Sequence, residues 1–376
     1  MKNLLTGLVI GVLGSSTFAG TWTVGDNGKA HFDNIQDAIS AANDGDVIIV
    51  SPGTYTSTQD GHVVNMHGKA VSLRSSDPEN PNIIAATIIN GEGVRRGIAC
   101  FNGETSGTVI EGFTITNGFA ADYDYNSDGN VSSYESNCGG GIYNFGSSPT
   151  IQNCRIYNNF ADAISSQSGG GGIYNYESNA TINSCRFIEN EGGFGGAIHN
   201  LNSSNVSISD CEFTDNSAST NYLQSVGGAI RNESSEPTIS DCTFSGNSAS
   251  IGGGAIINSN SDCMIYSCQF NDNIATSGGA MYNWNQSNPS ISSTTICGNS
   301  AEQIYGDWTD GGKNSITDIC EDCSQDINED GHAGSSDLLI LIGNWGSTTS
   351  IGDVNNDGIV NVIDLLSIID NWGPCE

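Results

Sequence analysis

The amino-acid sequence predicts an all-β fold, a right-handed parallel β-helix with an N-terminal capping helix, joined to a small C-terminal α-helical domain. Three observations carry that prediction. A glycine-rich phrase recurs six times: GGGIYN at 139–144 and 170–175, GGAIHN at 195–200, GGAIRN at 227–232, GGAIIN at 253–258 and GGAMYN at 278–283. Seven or eight residues later stands an isoleucine (Ile151, Ile182, Ile208, Ile239, Ile265, Ile291), followed by C-x-F-x-x-N at Cys185–Asn190, Cys211–Asn216, Cys242–Asn247 and Cys268–Asn273. The period alternates between about 25 and 32 residues, within the range of solenoids.

Each element follows from that repeat. The hydrophobes fall in runs of a few β-branched residues, too short for helices. Glycine and asparagine at fixed offsets mark corners where the backbone turns left-handed. No unit can bury its apolar side alone, so the units stack, and each position becomes a column. Ile142, Ile173, Ile198, Ile230, Ile256 and Met281 form one inward column and the Ile151 series another. Asn144 through Asn283 and Asn159 through Asn299 form two columns expected to bond as amide ladders. Cys154, Cys185, Cys211, Cys242 and Cys268 form a fifth column. Side chains on stacked parallel strands point the same way, so these are expected to be buried free thiols.

The chain begins with a stretch that reads as a signal peptide, residues 1–19: Lys2, an apolar run Leu4–Leu13 and a small-residue site at Thr17–Ala19. The run falls short of the roughly 20 residues of a membrane span, and no other segment approaches that length. The expectation is an exported protein, soluble or attached to a surface. Residues 31–55 read as the lid of the solenoid. Ile35, Ala38, Ile39 and Ala42 share one helical face, Asp33 with Gln36 gives a capping-box-like start, and Val47–Val50 is a strand. Less regular coils follow around Val71–Arg74, Ile83–Asn90 and Val109–Asn117, so the β-helix is assigned to 20–305 and a linker to 306–325.

The chain carries 42 acidic and 10 basic residues, a formal charge of −32. Nucleic acid is excluded as a natural partner, because phosphate contacts need lysine and arginine. Divalent cations suit such a chain, as does simple solubility.

The carboxylates concentrate in three loops. Asp326, Asn328, Asp330, His332 (through its carbonyl) and Asp337 stand at loop positions 1, 3, 5, 7 and 12, with Gly331 at 6 and Gly334 in place of a ligand at 9. Twenty-seven residues on, Asp353, Asn355, Asp357, Ile359 (carbonyl), Asn361 and Asp364 repeat the pattern around Gly358. Oxygen ligands so spaced meet the needs of seven-coordinate calcium. A third loop inside the β-helix half has Asp124, Asn126, Asp128, Asn130 (carbonyl), Ser132 and Glu135 at the same spacing.

Three resemblances rest on these residues. The tandem GGA-I-x-N and F-x-x-N phrases resemble the repeat of the chlamydial polymorphic outer-membrane protein family over about 160 residues. That family implies a β-helical passenger followed by a transporter barrel, and no barrel-like stretch follows here. The lid resembles the N-terminal cap of pectate-lyase-like β-helices. Residues 326–373 resemble a type I dockerin, with aspartate at the twelfth positions, which implies calcium and a cohesin-like scaffold protein as partner. Loop one keeps the family's Ser335-Ser336 pair, whereas loop two has Val362-Ile363, and the module at 326–376 has no lysine or arginine. Cys320, Cys323 and Cys375 bracket the module, and one of the first two is expected to bond Cys375.

Two functions compete. In G-G-x-I-x-N the isoleucine points inward, so Tyr143, Tyr174, His199, Arg231, Ile257 and Tyr282 are expected to form an outward ribbon. Tyrosine faces suit sugar rings, which favours a secreted or cell-surface protein for adhesion or binding of polysaccharide or cell-surface glycan; stacked tyrosines that merely shield the sheet are the plainer alternative. The rival is a polysaccharide lyase or glycoside hydrolase tethered through its dockerin. Its candidate groups are the column neighbours Asp210 and Asp241, Glu189 and Asp215, and Arg155 and Arg186 beside Glu212, all of which are also explained as solvated ladder charges. The histidines do not cluster, and no serine stands in a nucleophile turn.

Overall fold

A computed structural model describes residues 19–25, 28–57, 61–120, 137–161, 169–218, 225–320, 325–328, 332–348, 351–355, 357–370 and 372–374. Nearly all of the signal-peptide stretch, the loop at 124–135, Cys323 and Cys375 lie outside the described residues.

The repeat phrases fold as coils of a right-handed parallel β-helix. Three long sheets run along it, of 11, 10 and 9 strands among the described residues, with a fourth sheet of four two-residue strands. The 11-stranded sheet carries the Ile151 column, the 10-stranded one the phenylalanines and the 9-stranded one the Ile142 column. Like pairs with like in register: Ile142 with Ile173, Ile151 with Ile182, Phe187 with Phe213. Phe187, Phe213, Phe244 and Phe270 stack face to face at 4.6–4.7 Å with their planes within 5°. That spacing is the strand spacing, so the ladder and the ring stack share one repeat.

Polar residues hold the coil corners. Ser184, Asp210, Asp241 and Ser267 turn one corner at φ 50–54°, and Asn158, Glu189, Asp215 and Asp272 turn the next at φ 50–57°. Gly227 opens a third corner at φ 71°, and a Cβ on Gly228 would lie 2.1 Å from the Gly254 carbonyl oxygen, so neighbouring coils meet there only through glycine. Both expected asparagine ladders form. Asn144, Asn175, Asn200, Asn232, Asn258 and Asn283 each donate Nδ2–H to the next Oδ1 at 2.8–2.9 Å, the last turning to the Asp307 carbonyl at 3.0 Å. A serine ladder that the sequence reading missed lies nearby, where the backbone N–H of Ser147, Ser178, Ser204, Ser235 and Ser261 donates to the next hydroxyl. The five column cysteines are buried and free, as are Cys100 and Cys263. Burial pushes the Cys263 thiol up to about 12.

The lid is α1 (Ile35–Ala41), with Ile35, Ala38 and Ile39 buried over the first coil. Its cap is Asn34, not the Asp33–Gln36 pair: the Asn34 side chain accepts from Asp37 N–H, while Gln36 reaches across to the Asn65 backbone. A second short helix, α2 (Pro81–Ala86), takes up the start of the less regular coil expected around Ile83–Asn90, because Asn80 caps it and Pro81 takes a first-turn position where no N–H is needed. The strand is Thr87–Asn90.

The last coil closes beyond residue 305. Thr309–Asp310 and Ser315–Ile316, inside the stretch assigned to the linker, pair with Ser290–Ile291 and Thr295–Ile296. Cys320 bonds Cys297 on that last coil, with Cα atoms 4.8 Å apart, so of the two partners expected for Cys375 the Cys320 one is excluded, and the Cys323 one lies outside the described residues. The sequence reading missed this pair because Cys297 stands one position past the core column and has no repeat partner.

Candidate functional site

The outward column lies on the 9-stranded sheet, whose strands alternate inward isoleucine with outward Tyr143, Tyr174, His199, Arg231, Ile257 and Tyr282. It does not form the expected ribbon in solvent. Tyr143, Tyr174, His199, Arg231 and Ile257 are buried, at 0–8% exposure. The chain ahead of each glycine phrase crosses outside the sheet and makes its own parallel bridges, Cys138 to Gly169, Phe194 to Val226, Val226 to Gly252 and Gly252 to Ser277. The period of a strand says which side a residue faces. It does not say whether another layer covers that side.

The covered layer is polar for an interior. Arg96, fully buried, donates Nε–H to the Cys138 carbonyl at 2.7 Å, and its guanidinium stands 5.1 Å from the Tyr143 ring. Tyr143 stacks on Tyr174 at 5.9 Å, and Tyr174 meets His199 edge-on at 5.4 Å. Arg231 lies over Phe194 at 4.2 Å and donates to Glu233 at 2.5 Å. The His199 Nε2 is 3.9 Å from the same carboxylate, too far for a hydrogen bond. Burial pushes His199 down to about 4, outweighing the pull of Glu233. Burial would raise Glu233, yet the His199 ring and Arg231 guanidinium hold it below the usual carboxylate range.

The cover ends at Ser277, and the column opens beyond it. Tyr282 stacks on Tyr305 at 4.7 Å and on Trp284 at 6.0 Å, the planes within 7° and 19°. Trp284 is 55% exposed and Tyr305 41% exposed. Gly252 seats this group, since a Cβ there would lie 2.7 Å from the Tyr282 ring. Ile304–Tyr305 is the edge strand of the sheet, so Tyr305 has a coil on one face only. Of this group the sequence reading found Tyr282. Trp284 is two positions on, outward again by the same alternation, and Tyr305 lies past the last phrase, where the repeat no longer flags it.

The acidic pairs weighed for catalysis are the corner residues described above. Asp210, Asp241, Glu189 and Asp215 line up along the axis at left-handed corners, not across a cleft. Arg186 pairs with Glu212 at 3.0 Å on the surface.

In the C-terminal module α3 (Ser335–Gly343) and α4 (Val362–Asp370) pack around Leu341, Val360 and Ile368. Asp337 and Asp364 are fully buried in the first turns. The Asp337 carboxylate accepts from Asn328 N–H at 3.0 Å and Gly334 N–H at 2.8 Å; Asp364 accepts from Asn355 N–H at 3.2 Å and Asn361 N–H at 2.8 Å. Asp353 accepts from the N–H groups of Asp357 and Gly358 at 3.1 and 2.9 Å. Asp330 lies outside the described residues, and His332 contributes backbone to a two-residue ladder with Pro374. Among the described residues no three His, Cys, Asp or Glu side chains converge as a metal cluster. Each helix with the tryptophan just past it exposes the same side chains: Leu339, Ile342 and Trp345 in the first half, with Leu366, Ile369 and Trp372 their counterparts, all 49–70% exposed.

Residues 241–259 match the Chlamydia polymorphic membrane protein repeat. No curated protein matches the chain. Among solved structures it is similar to pectin methylesterase from carrot (14% identity, TM-score 0.37, covering 80% of this chain and 84% of that one). It is also similar to the pectin methylesterase from Aspergillus niger (11%, 0.33, 81% and 85%) and to pectin methylesterase PemA from Erwinia chrysanthemi (12%, 0.27, 77% and 68%). No helix among the described residues is long and apolar enough to cross a membrane.

Proposed function

We propose that this protein is an exported or surface-held β-helix that binds glycans through the aromatic end of its 9-stranded sheet, and that its C-terminal module is a calcium-dependent docking domain. The exposed Tyr282–Trp284–Tyr305 group carries the first half. Flat apolar faces with polar handles, stacked along a rigid scaffold, suit sugar rings, and exposed aromatics are not needed to fill the core. Trp284→Ala with Tyr305→Ala is expected to weaken glycan binding by about tenfold or more. The melting temperature should hardly move, because both side chains are exposed. A glycan array followed by titration of the best ligand checks this; undiminished binding by the double variant overturns it.

Three features support the second half. The module has no lysine or arginine to offset its aspartates, so a cation is the natural counter-charge. Asp337 and Asp364 are buried, and the hydrogen bonds of Asp353 and Asp364 already wind the second loop around its first and twelfth positions. Asp326, Asn328, Asp330, the His332 carbonyl and Asp337 would hold one ion, and Asp353, Asn355, Asp357, the Ile359 carbonyl, Asn361 and Asp364 a second. The sequence at 124–135 offers a third set. The duplicated Leu-Ile-Trp faces are an exposed apolar patch of the kind that takes a protein partner, and a cohesin-like scaffold fits the module's resemblance. Equilibrium dialysis of the full chain is expected to give two to three bound calcium ions, with one lost in Asp353→Ala. Calorimetry against a cohesin domain should show binding that chelator abolishes. A chain that binds no calcium overturns the module's assignment, and calcium without cohesin binding overturns the partner.

A further inference from the structure

A cleft on the opposite side of the coil from the aromatic end is lined by charge of the rarer sign. The loop leading to α2 folds down onto the corner between the 11- and 10-stranded sheets. Gly112, at φ 75°, permits it: a Cβ there would lie 2.5 Å from Pro78. The Thr114 hydroxyl, donating to the Ile84 carbonyl at 2.9 Å, fixes the helix end. Pro78, Pro81 and Ile84 thus form an apolar wall facing Arg155 and Arg186 across about 230 Å³, with Glu79 on the same wall. That volume lies below the roughly 300–1,000 Å³ of pockets for drug-sized ligands, and suits one ring.

The two arginines are register partners on adjacent coils. Like charges directly opposite on neighbouring strands destabilise a sheet. Glu212 neutralises Arg186 from the next coil. Arg155 has Thr114 on its other side, and its guanidinium rests 4.3 Å from the Tyr157 ring; no carboxylate pairs with it among the described residues. In a chain with 42 acidic and 10 basic residues, a guanidinium thus stands without an acid partner among the described residues, beside a second one, at the mouth of an apolar-walled cleft.

We infer that this cleft binds the carboxylate of an acidic sugar, a uronate ring of a polysaccharide. A guanidinium fork matches a carboxylate with two parallel hydrogen bonds, and the C–H face of the ring packs on the proline and isoleucine wall. The net charge of the chain does not forbid this, because at physiological salt exposed charges are screened beyond about 8 Å, and the nearest groups decide. The inference extends the glycan reading by naming an acidic ligand, but it uses a different sheet, so the Trp284 and Arg155 variants fail independently.

The test is calorimetric titration of the full chain with the sodium salt of an oligoglucuronate and with the neutral glucose oligomer of the same length, without added calcium. The Trp284→Ala, Tyr305→Ala background isolates the cleft. There the acidic oligomer is expected to bind and the neutral one not. Arg155→Gln should lose about tenfold or more, as expected for a charge-assisted contact, and Arg155→Lys less than Arg155→Gln. Glu212→Gln releases Arg186 and should tighten binding several-fold, a gain that a purely structural ladder would not give. It also keeps the test open should Arg155→Gln fail to fold. Equal binding of both oligomers, unchanged binding in Arg155→Gln, or no gain in Glu212→Gln overturns the site. Tighter binding of a sulfated neutral oligomer, or displacement of the uronate by a short apolar peptide with a free C-terminal carboxylate at lower concentration, overturns the sugar-acid assignment.

Discussion

Asn216→Ala is expected to cost about 3–5 kcal/mol of stability, from four buried hydrogen bonds at about 1 kcal/mol each and one N–H left without an acceptor. Asn216 is fully buried in the middle of its ladder. Its Nδ2 donates to the Phe187 carbonyl and to Asn247 Oδ1, both at 2.9 Å. Its Oδ1 accepts from the backbone N–H of Asn190 at 3.1 Å and from Asn190 Nδ2 at 3.0 Å. Alanine removes all four bonds and leaves the Asn190 N–H without its acceptor between coils that water does not reach. Asn216→Asp should be at least as damaging, because a carboxylate keeps the acceptors but offers no donor to Phe187 or Asn247. Denaturant unfolding of the two variants, beside Ser207→Ala on an exposed position as control, measures this. A loss below 1 kcal/mol for Asn216→Ala would show that the ladder gives register without stability.

Stability is also expected to fall by on the order of 3 kcal/mol between pH 6.5 and 4 through His199 alone. The ring is fully buried against Tyr174, Phe194, Arg231 and Glu233. Its pKa falls from 6.5 to about 4, chiefly because burial disfavours the imidazolium. Between those values the unfolded chain takes up a proton that the folded chain refuses. The contribution is thus present in full above pH 6.5, is lost as pH falls, and levels off near 4, where the folded state also protonates. His199→Phe keeps a ring against Tyr174 and cannot titrate, so its acid loss should be smaller by about that amount. His62, lowered to about 4 for the same reason, leaves a residual acid dependence in the variant. Unfolding midpoints at pH 7 and pH 4 for both chains decide the matter, and equal acid losses would remove His199 from the account.

A repeat makes some features legible because stacking copies one residue into a column. Ile142 through Met281, the Ile151 series, both asparagine ladders and the free thiols follow from spacing alone, since each has an identical neighbour one coil away. Residues that break the repeat did not follow. Cys297 pairs with Cys320 because the last coil brings the exit segment back across it. Asn34 rather than Asp33 caps α1, a one-residue choice made by where the helix must start to lay Ile35 and Ile39 on the first coil.

The sequence by itself therefore determined the coil, its period and the isoleucine, asparagine and cysteine columns, because a parallel stack places equivalent positions of successive repeats on one another. Only the tertiary structure decided what lies outside the coil. The residues ahead of each glycine phrase return as a covering layer, so Tyr174 and His199 became interior while Trp284 and Tyr305, past the end of that layer, remained open. The Arg155 cleft arises the same way, from an insertion before Thr87 that reaches two coils forward to a residue far along the chain. Alternation along a strand assigns a side; only contact between distant segments assigns exposure.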